Sequence, residues 1–437
     1  MVAGSWRAKG LDARIFALAI PAVGALAADP LLSLADTAFV ARLGPEALAA
    51  LGINGAIFGF AFVVFNFLAY VTTPLVARAL GADDRPEALA VISRALILGV
   101  VLGLAASLLL WVLAPQLLDL MQTGAEVRSP ALSYLQIRAW AAPAVLVTLA
   151  AHGSFRGLAD TRTPLVVALV VNVINIVLNP ILIFGFGMGV AGSALASLLA
   201  QYLGAAMLIR RLRRRVGAFS FTEVRWASFA TLLRPAGWVT MRTLMLVLTL
   251  AATTATASTL GTAQLAAHQV VRETWFLSAM VVDGLAIAAQ TLVAGAAGRL
   301  DFCDEANVIR RLLFWGTVIG IVLTGLWLVA GTPLAAAFAP SPDVAEQIRA
   351  VTPAIAAFAV ASAWLWVVDG VVLGQLRLRR MALSTSVGGV LGLAVLALVP
   401  RWGWGLPGVW LAIGVMILGR LGVLVWGGLK RPAPGLG

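Results

Sequence analysis

The chain has 437 residues, 61% of them apolar and only 11% charged. A soluble domain carries roughly 45–50% apolar and about 25% charged residues, so soluble enzymes, disulfide-stapled secreted scaffolds and disordered tails are excluded by composition. A net charge of +12 would suit a nucleic-acid binder, but the basic residues sit in short gaps between long apolar runs. That placement makes them topology signals, and no nucleic-acid partner is expected.

Twelve runs are long enough to cross a bilayer. They fall at about 15–41, 47–77, 90–114, 131–151, 164–184 and 190–209, then at 232–259, 265–297, 312–332, 350–373, 381–399 and 406–427. None alternates in polarity as barrel strands do, so the predicted fold is an all-α polytopic membrane protein. With the N-terminus in the cytoplasm, the inner loops and ends collect Arg7, Lys9 and Arg14, then Arg78, Arg85, Arg94, Arg156 and Arg162. The basic stretch Arg210 to Arg234 follows, with Arg225 inside it and Arg242 just beyond, and then Arg299, Arg310, Arg311, Arg377, Arg379, Arg380, Arg420, Lys430 and Arg431. The outer side keeps Arg42, Arg128, Arg138, Arg349 and Arg401, and Arg272 is the one clearly mid-span arginine. Both termini are therefore expected inside. Arg7, Lys9 and Arg14 before an apolar run and Ala25-Leu26-Ala27 imitate a cleavable leader, but the run continues to Val40 and reads as the first helix. Cys303, the single cysteine, cannot form an intramolecular disulfide.

The first span carries Asp29 and Asp36, seven apart and so on one helical face, with Ser33 between them and Pro21 and Pro30 nearby. An ionisable group within a span is costly and marks function by default. Removal from water favours the neutral form of a carboxylate, which suits such a group to carrying a proton. The prolines remove intrahelical hydrogen bonds and predict a bend. The fifth span presents Asn172, Asn175 and Asn179 on one face, with Pro180 directly after. Amides at that spacing can hold a cation, bind substrate or join helices, and joining is the preferred reading for Asn172. The eighth span holds His268, Arg272, Glu273, Asp283 and Gln290, and the tenth Asp369. Adjacent Arg272 and Glu273 point about 100° apart and are not expected to pair face to face. No metal-ligand spacing, catalytic constellation or phosphate loop occurs, and His152 and His268 are too far apart in sequence to make a metal site by themselves.

Sliding the chain against itself by 217 residues aligns Leu43-Gly44 with Leu260-Gly261, Leu75-Val76-Ala77 with Leu292-Val293-Ala294, Glu87 with Asp304, Arg94 with Arg311, Gly103 with Gly320 and Gly157 with Gly374. A shift of 216 places Gly187-x-Gly189-x-x-Gly192 on Gly403-x-Gly405-x-x-Gly408. These segments follow membrane helices and lack the strand and downstream acid of a dinucleotide site, so they read as turns into closely packed helices. The repeat divides the chain into lobes 1–215 and 216–437, each of six spans and in the same orientation. Asp36, Asp283 and Asp369 align with Thr253, Asn66 and His152, so the lobes are chemically unequal.

Asp36-Thr37-Ala38-Phe39-Val40-Ala41-Arg42-Leu43-Gly44 resembles the first-helix signature of the multidrug and toxic compound extrusion (MATE) transporters, and Arg156-Gly157-Leu158-Ala159-Asp160-Thr161-Arg162-Thr163-Pro164 their loop between helices four and five. Asp283-Gly284-Leu285-Ala286-Ile287-Ala288-Ala289-Gln290 and Asp369-Gly370 resemble the DNA-damage-inducible (DinF) branch. The resemblance implies two six-helix lobes about a central cleft, in the wider MOP superfamily, and antiport of hydrophobic or cationic organic molecules against protons, with sodium as the alternative ion. It puts ion coupling on Asp36, Asn175 and Asn179, helped by Asp29, with any sodium held at the first three. Where the family commonly has Asp, this chain has Asn179, which removes one titratable group. Cleft candidates are Ser33, Asn172, His268, Arg272, Glu273, Asp283, Gln290 and Asp369, with Pro21 and Pro30 as the bending residues. No cofactor or resident metal is implied. The expected setting is a bacterial cytoplasmic membrane and a monomer, and the alternative function is a flippase for a lipid-linked precursor.

Overall fold

The computed structural model describes residues 10–217, 219, 226–426 and 428, and all regular structure among them is helical. Arg7, Lys9, Arg225, Lys430 and Arg431 of the topology argument lie outside the described residues. Long apolar runs with few polar interruptions satisfy their backbone internally, the requirement that a bilayer imposes. The helices are α1 (Leu11–Val40), α2 (Pro45–Val63), α3 (Phe67–Gly81), α4 (Arg85–Val112), α5 (Ala114–Leu120), α6 (Ala125–Ala139), α7 (Ala142–Gly157), α8 (Arg162–Pro180) and α9 (Gly189–Val216). The second half continues with α10 (Ala230–Leu260), α11 (Thr262–Gly298), α12 (Phe302–Phe338), α13 (Pro342–Gly374), α14 (Leu378–Trp402) and α15 (Gly405–Trp426).

Among the described residues, eleven segments are long and apolar enough to span, and α6 with α7 makes a twelfth if the pair, bent by 50° at a short break, is one span. A short 3₁₀ turn, Val64–Asn66, joins α2 to α3 within the second span. Eleven of the twelve predicted spans are found among the described residues, and the fourth is met if the bent pair counts as one span. The helix α1 runs through Pro21 and Pro30 as one helix.

The repeat appears in the backbone itself. Asp84 and Asp301 cap α4 and α12 in the same way, their carboxylates accepting from the backbone N–H of Glu87 and Asp304, both at 2.9 Å. Gly44 and Gly261 precede α2 and α11 with φ of 117° and 136°, a region that penalises any side chain. A Cβ on Gly103 would stand 2.4 Å from the Pro143 backbone, and one on the equivalent Gly320 2.8 Å from Val360. The absence of side chains there lets helices cross closely. In both Gly-x-Gly-x-x-Gly segments the first two glycines have positive φ and the third has no room for a Cβ, the geometry of a turn into a packed helix.

The chain divides into two compact units. One is Ile20–Ala236; the other joins the residues up to Ala19 to Gly237–Gly437. These boundaries differ from 215/216 because each half anchors the opening turns of the other half's first helix. In the second unit, Arg311 of α12 makes a two-point contact with the Asp12 carboxylate at the start of α1. Trp315 Nε1 donates to the same group at 2.9 Å, and its ring meets Phe16 edge-on at 4.7 Å. In the first unit, Arg94 of α4 pairs with Glu87 at 2.9 Å and reaches the Ser228 carbonyl and Thr231 Oγ1 at 3.3 and 3.1 Å, at the start of α10.

Several arginines depart from their expected places. Arg420, counted among inner-end residues, and Arg242 are buried in the second unit. Arg138, counted on the outer side within the fourth predicted run, occupies the last turn of α6 at the break in that span. Their carboxylate and aromatic neighbours, far away in sequence, hold them there.

Candidate functional site

The amides of α8 face inward because its three- and four-residue spacing stacks them on one side. Asn179 Nδ2 donates to Asp36 Oδ1 at 2.6 Å and to Asn175 Oδ1 at 2.7 Å. Asn175 Nδ2 donates to Ser197 Oγ of α9 at 3.1 Å, and Ser197 Oγ donates to Asp36 Oδ2 at 3.4 Å. The four side chains close a ring inside the first unit, with Asn175 and Asn179 fully buried and Asp36 8% exposed. Asn179 Oδ1 is buried with no hydrogen-bond partner. One turn from Asn175, Asn172 Nδ2 donates to the Ala28 carbonyl at 2.7 Å. The helix α1 is therefore tied to α8 on both sides of Pro30, at Ala28 and at Asp36.

Nearby, Tyr134 of α6 packs in one apolar cluster with Val40, Ile183 and Ala194. Arg138, one turn further along α6, lies over the Phe58 ring at 5.8 Å, and its charge acts on Asp29 and Asp36. Asp29 and Ser33 are exposed, and neither joins the ring. Ser33 contributes only its carbonyl, which accepts from Thr37 Oγ1 at 2.7 Å. The seven-residue spacing of Asp29 and Asp36 thus brings just one of the two acids into the buried site.

The second unit uses its polar residues differently. Asp369 is gripped by Arg242 at 2.9 Å and Arg420 at 2.5 Å, all three side chains being at most 8% exposed. Arg272 and Glu273, expected to diverge, pair at 2.7 Å. Their long side chains curl past the 100° between their Cα–Cβ directions, and Arg272 also donates to Thr254 Oγ1 at 3.3 Å. His268 is fully buried, 3.3 Å from Thr254 Oγ1 and beside Trp410. Gln290 is buried with its Oε1 lacking a partner, while Asp283 is half-buried. Among the described residues no group of three or more His, Cys, Asp or Glu could hold a metal ion.

Sequence reasoning missed Ser197, because a serine in Gly-Ser-Ala-Leu-Ala-Ser reads as small-residue packing, and it assigned Arg138, Arg242 and Arg420 to a side of the membrane by the charge rule alone. The one available signal for Ser197 was its four-residue spacing from Ser193, which is also fully buried.

Eleven apolar spans among the described residues, with a bent pair as a twelfth if counted as one, in two repeated halves that each bury a hydrogen-bonded carboxylate, define a polytopic helical membrane protein. The MatE family model matches residues 21–181 and again 239–398, one match in each half. The chain belongs to this family. It is 33% identical over 425 residues to Protein DETOXIFICATION 44, chloroplastic, of Arabidopsis thaliana, covering 94% of this chain and 81% of that one. It is 29% identical to the DNA damage-inducible protein F of Escherichia coli strain K12, covering 93% and 89%. The fold also matches the outward-facing structure of a multidrug resistance MATE family transporter of the MOP superfamily, with a TM-score of 0.86, 20% identity, and 96% and 95% of the two chains covered.

Proposed function

We propose that the protein exports hydrophobic or cationic organic compounds in exchange for protons, by alternating access, with Asp36 as the proton carrier. The observation that carries this reading is the closed ring of Asp36, Asn179, Asn175 and Ser197, which holds a single carboxylate. Ionised Asp36 accepts from both Asn179 and Ser197. A proton on Asp36 turns one acceptor into a donor, and the ring must rearrange. Asn179 can answer, because rotating its amide presents the Oδ1 that is otherwise without a partner. An aspartate at position 179 would compete for the proton; an amide only responds to it.

The rearrangement reaches the backbone because α8 ties α1 at Ala28 and at Asp36, with Pro30 between them. Changing one tether favours a bend at Pro21–Pro30, which expels substrate. Coupling then follows from unequal proton affinity in the two conformations. The setting that suits the arginine distribution is a bacterial cytoplasmic membrane with both termini inside, and the relatives include plant chloroplastic proteins as well as bacterial ones. A lipid-linked pyrophosphate would call for free cationic groups, whereas Arg242 and Arg420 converge on Asp369, so the exporter reading is preferred to the flippase.

The test is efflux from proteoliposomes under an imposed pH gradient. Asp36→Asn should abolish proton-driven export of a fluorescent organic cation while the protein keeps its melting behaviour. Export at the wild-type rate would overturn the assignment, and export driven equally by a sodium gradient would overturn the choice of ion.

A further inference from the structure

We infer that Arg138 makes the ring a proton site and closes it to metal cations. This rests on the reading of Asp36 as the coupling group. Tyr134 shares its apolar cluster with Val40, which lies one turn after Asp36 on α1, and Arg138 lies one turn after Tyr134 on α6. The Arg138 guanidinium rests over Phe58, a residue packed on that same cluster. Its Nη1 is buried without a hydrogen-bond partner, it makes no ion pair among the described residues, and its charge acts on both Asp29 and Asp36. The ring residues on α8 and α9 are neutral, the α9 arginines begin only at Arg210, and on α6 the facing groups are Tyr134 and Arg138.

A sodium ion is held by several oxygens at once, and a cation placed beside them opposes it. The ring offers one carboxylate, onto which Asn179 Nδ2 and the Ser197 hydroxyl donate, while the Asn175 Oδ1 is taken by Asn179. Arg138 cancels what negative charge remains. A proton needs no cage, since it forms an O–H bond to one carboxylate oxygen and leaves the other ring contacts to readjust. Asn179 and Arg138 act in the same direction: the first removes a second carboxylate, and the second offsets the one that is left.

The experiment measures radiolabelled sodium binding to purified protein at constant ionic strength, with N-methylglucamine as the replacing cation. Wild type should bind no sodium at this site. Arg138→Gln should gain saturable binding, with at least about tenfold more bound sodium than the wild-type background, which disappears in Arg138→Gln/Asp36→Asn, and Arg138→Lys should stay closed to sodium. Wild-type sodium binding that is lost in Asp36→Asn would overturn the inference, even if Arg138→Gln fails to fold. A folded Arg138→Gln protein that still binds no sodium would overturn it too. Failure of the proton-exchange reading would show separately, as proton-driven export by Asp36→Asn in the vesicle assay.

Discussion

Arg94 and Arg311 are repeat equivalents, and each holds the opening turn of the other half's first helix: Arg311 grips Asp12 of α1, and Arg94 grips Ser228 and Thr231 at the start of α10. The two contacts differ in burial. The Arg311 and Asp12 side chains are about two-fifths exposed, whereas Arg94 is 10% exposed. Exposed pairs contribute roughly 0–1 kcal/mol, and buried hydrogen bonds to charge about 1.5–3 kcal/mol. Arg94→Gln should therefore lower the melting temperature in detergent more than Arg311→Gln. The milder variant should show its effect locally, as faster hydrogen exchange in residues 11–19.

The Arg242–Asp369–Arg420 cluster carries a net positive charge in a buried setting. Removing the anion that both arginines share strips each of them of its ion pair with Asp369, a loss of about 3–5 kcal/mol. Asp369→Asn should be strongly destabilising. Arg242→Gln leaves a neutral Arg420–Asp369 pair and should cost clearly less. Equal losses in thermal denaturation would show that charge balance does not govern this cluster.

Two helix-interior glycines of the second unit should respond oppositely to alanine. A Cβ on Gly370 would lie 2.4 Å from the Ala286 carbonyl, whereas one on Gly325 would meet nothing within 4 Å. Overpacking at the first should cost about 1–3 kcal/mol, while helix propensity at the second should contribute up to about 1 kcal/mol of stability. Melting curves of Gly370→Ala and Gly325→Ala settle the comparison.

Ser197→Ala removes the acceptor for Asn175 Nδ2 and the second donor to Asp36. A net hydrogen-bond contribution of about 1–1.5 kcal/mol corresponds to roughly a fivefold to tenfold slower proton-driven export, with expression and folding retained. Ser197→Thr keeps the hydroxyl and should recover most of the rate in the same vesicle assay.

Between α5 and α6, Asp119 is exposed and bonded to Arg128, and that hydrogen bond holds its carboxyl below the usual carboxylate range. A group with a depressed folded value stabilises the fold above its unfolded value of about 3.9 and stops doing so as the pH falls through the folded value. Arg128→Ala should move the Asp119 titration back toward the ordinary range, as followed by carboxyl NMR.

Spans, repeat and three of the four ring residues were legible because periodicity and spacing are one-dimensional signals. Asn175 and Asn179 share a face by arithmetic, and Asp36 stands out as an acid in an apolar run. Depth and rotation are not one-dimensional. Arg420 lies near the end of an apolar run and counts as a terminal residue until Asp369, 51 positions away, is seen to hold it inside. Arg138 looked like an outer-side residue of an unbroken span because the break in the fourth span leaves no mark beyond Pro143. The Arg272–Glu273 pair was misjudged for a third reason: Cα–Cβ directions fix where side chains start, and long ones end elsewhere.

The exchanged anchors also bear on how a six-helix chain of this pattern could exist alone. Its third-span arginine would find no helix start of its own to hold, and its first helix would begin without an anchor. Two copies side by side would satisfy both at once, each lending its opening turn to the other. Joined end to end in one polypeptide, the same contacts become a reciprocal splice, so a chain severed between α9 and α10 should need both fragments present to regain either anchor.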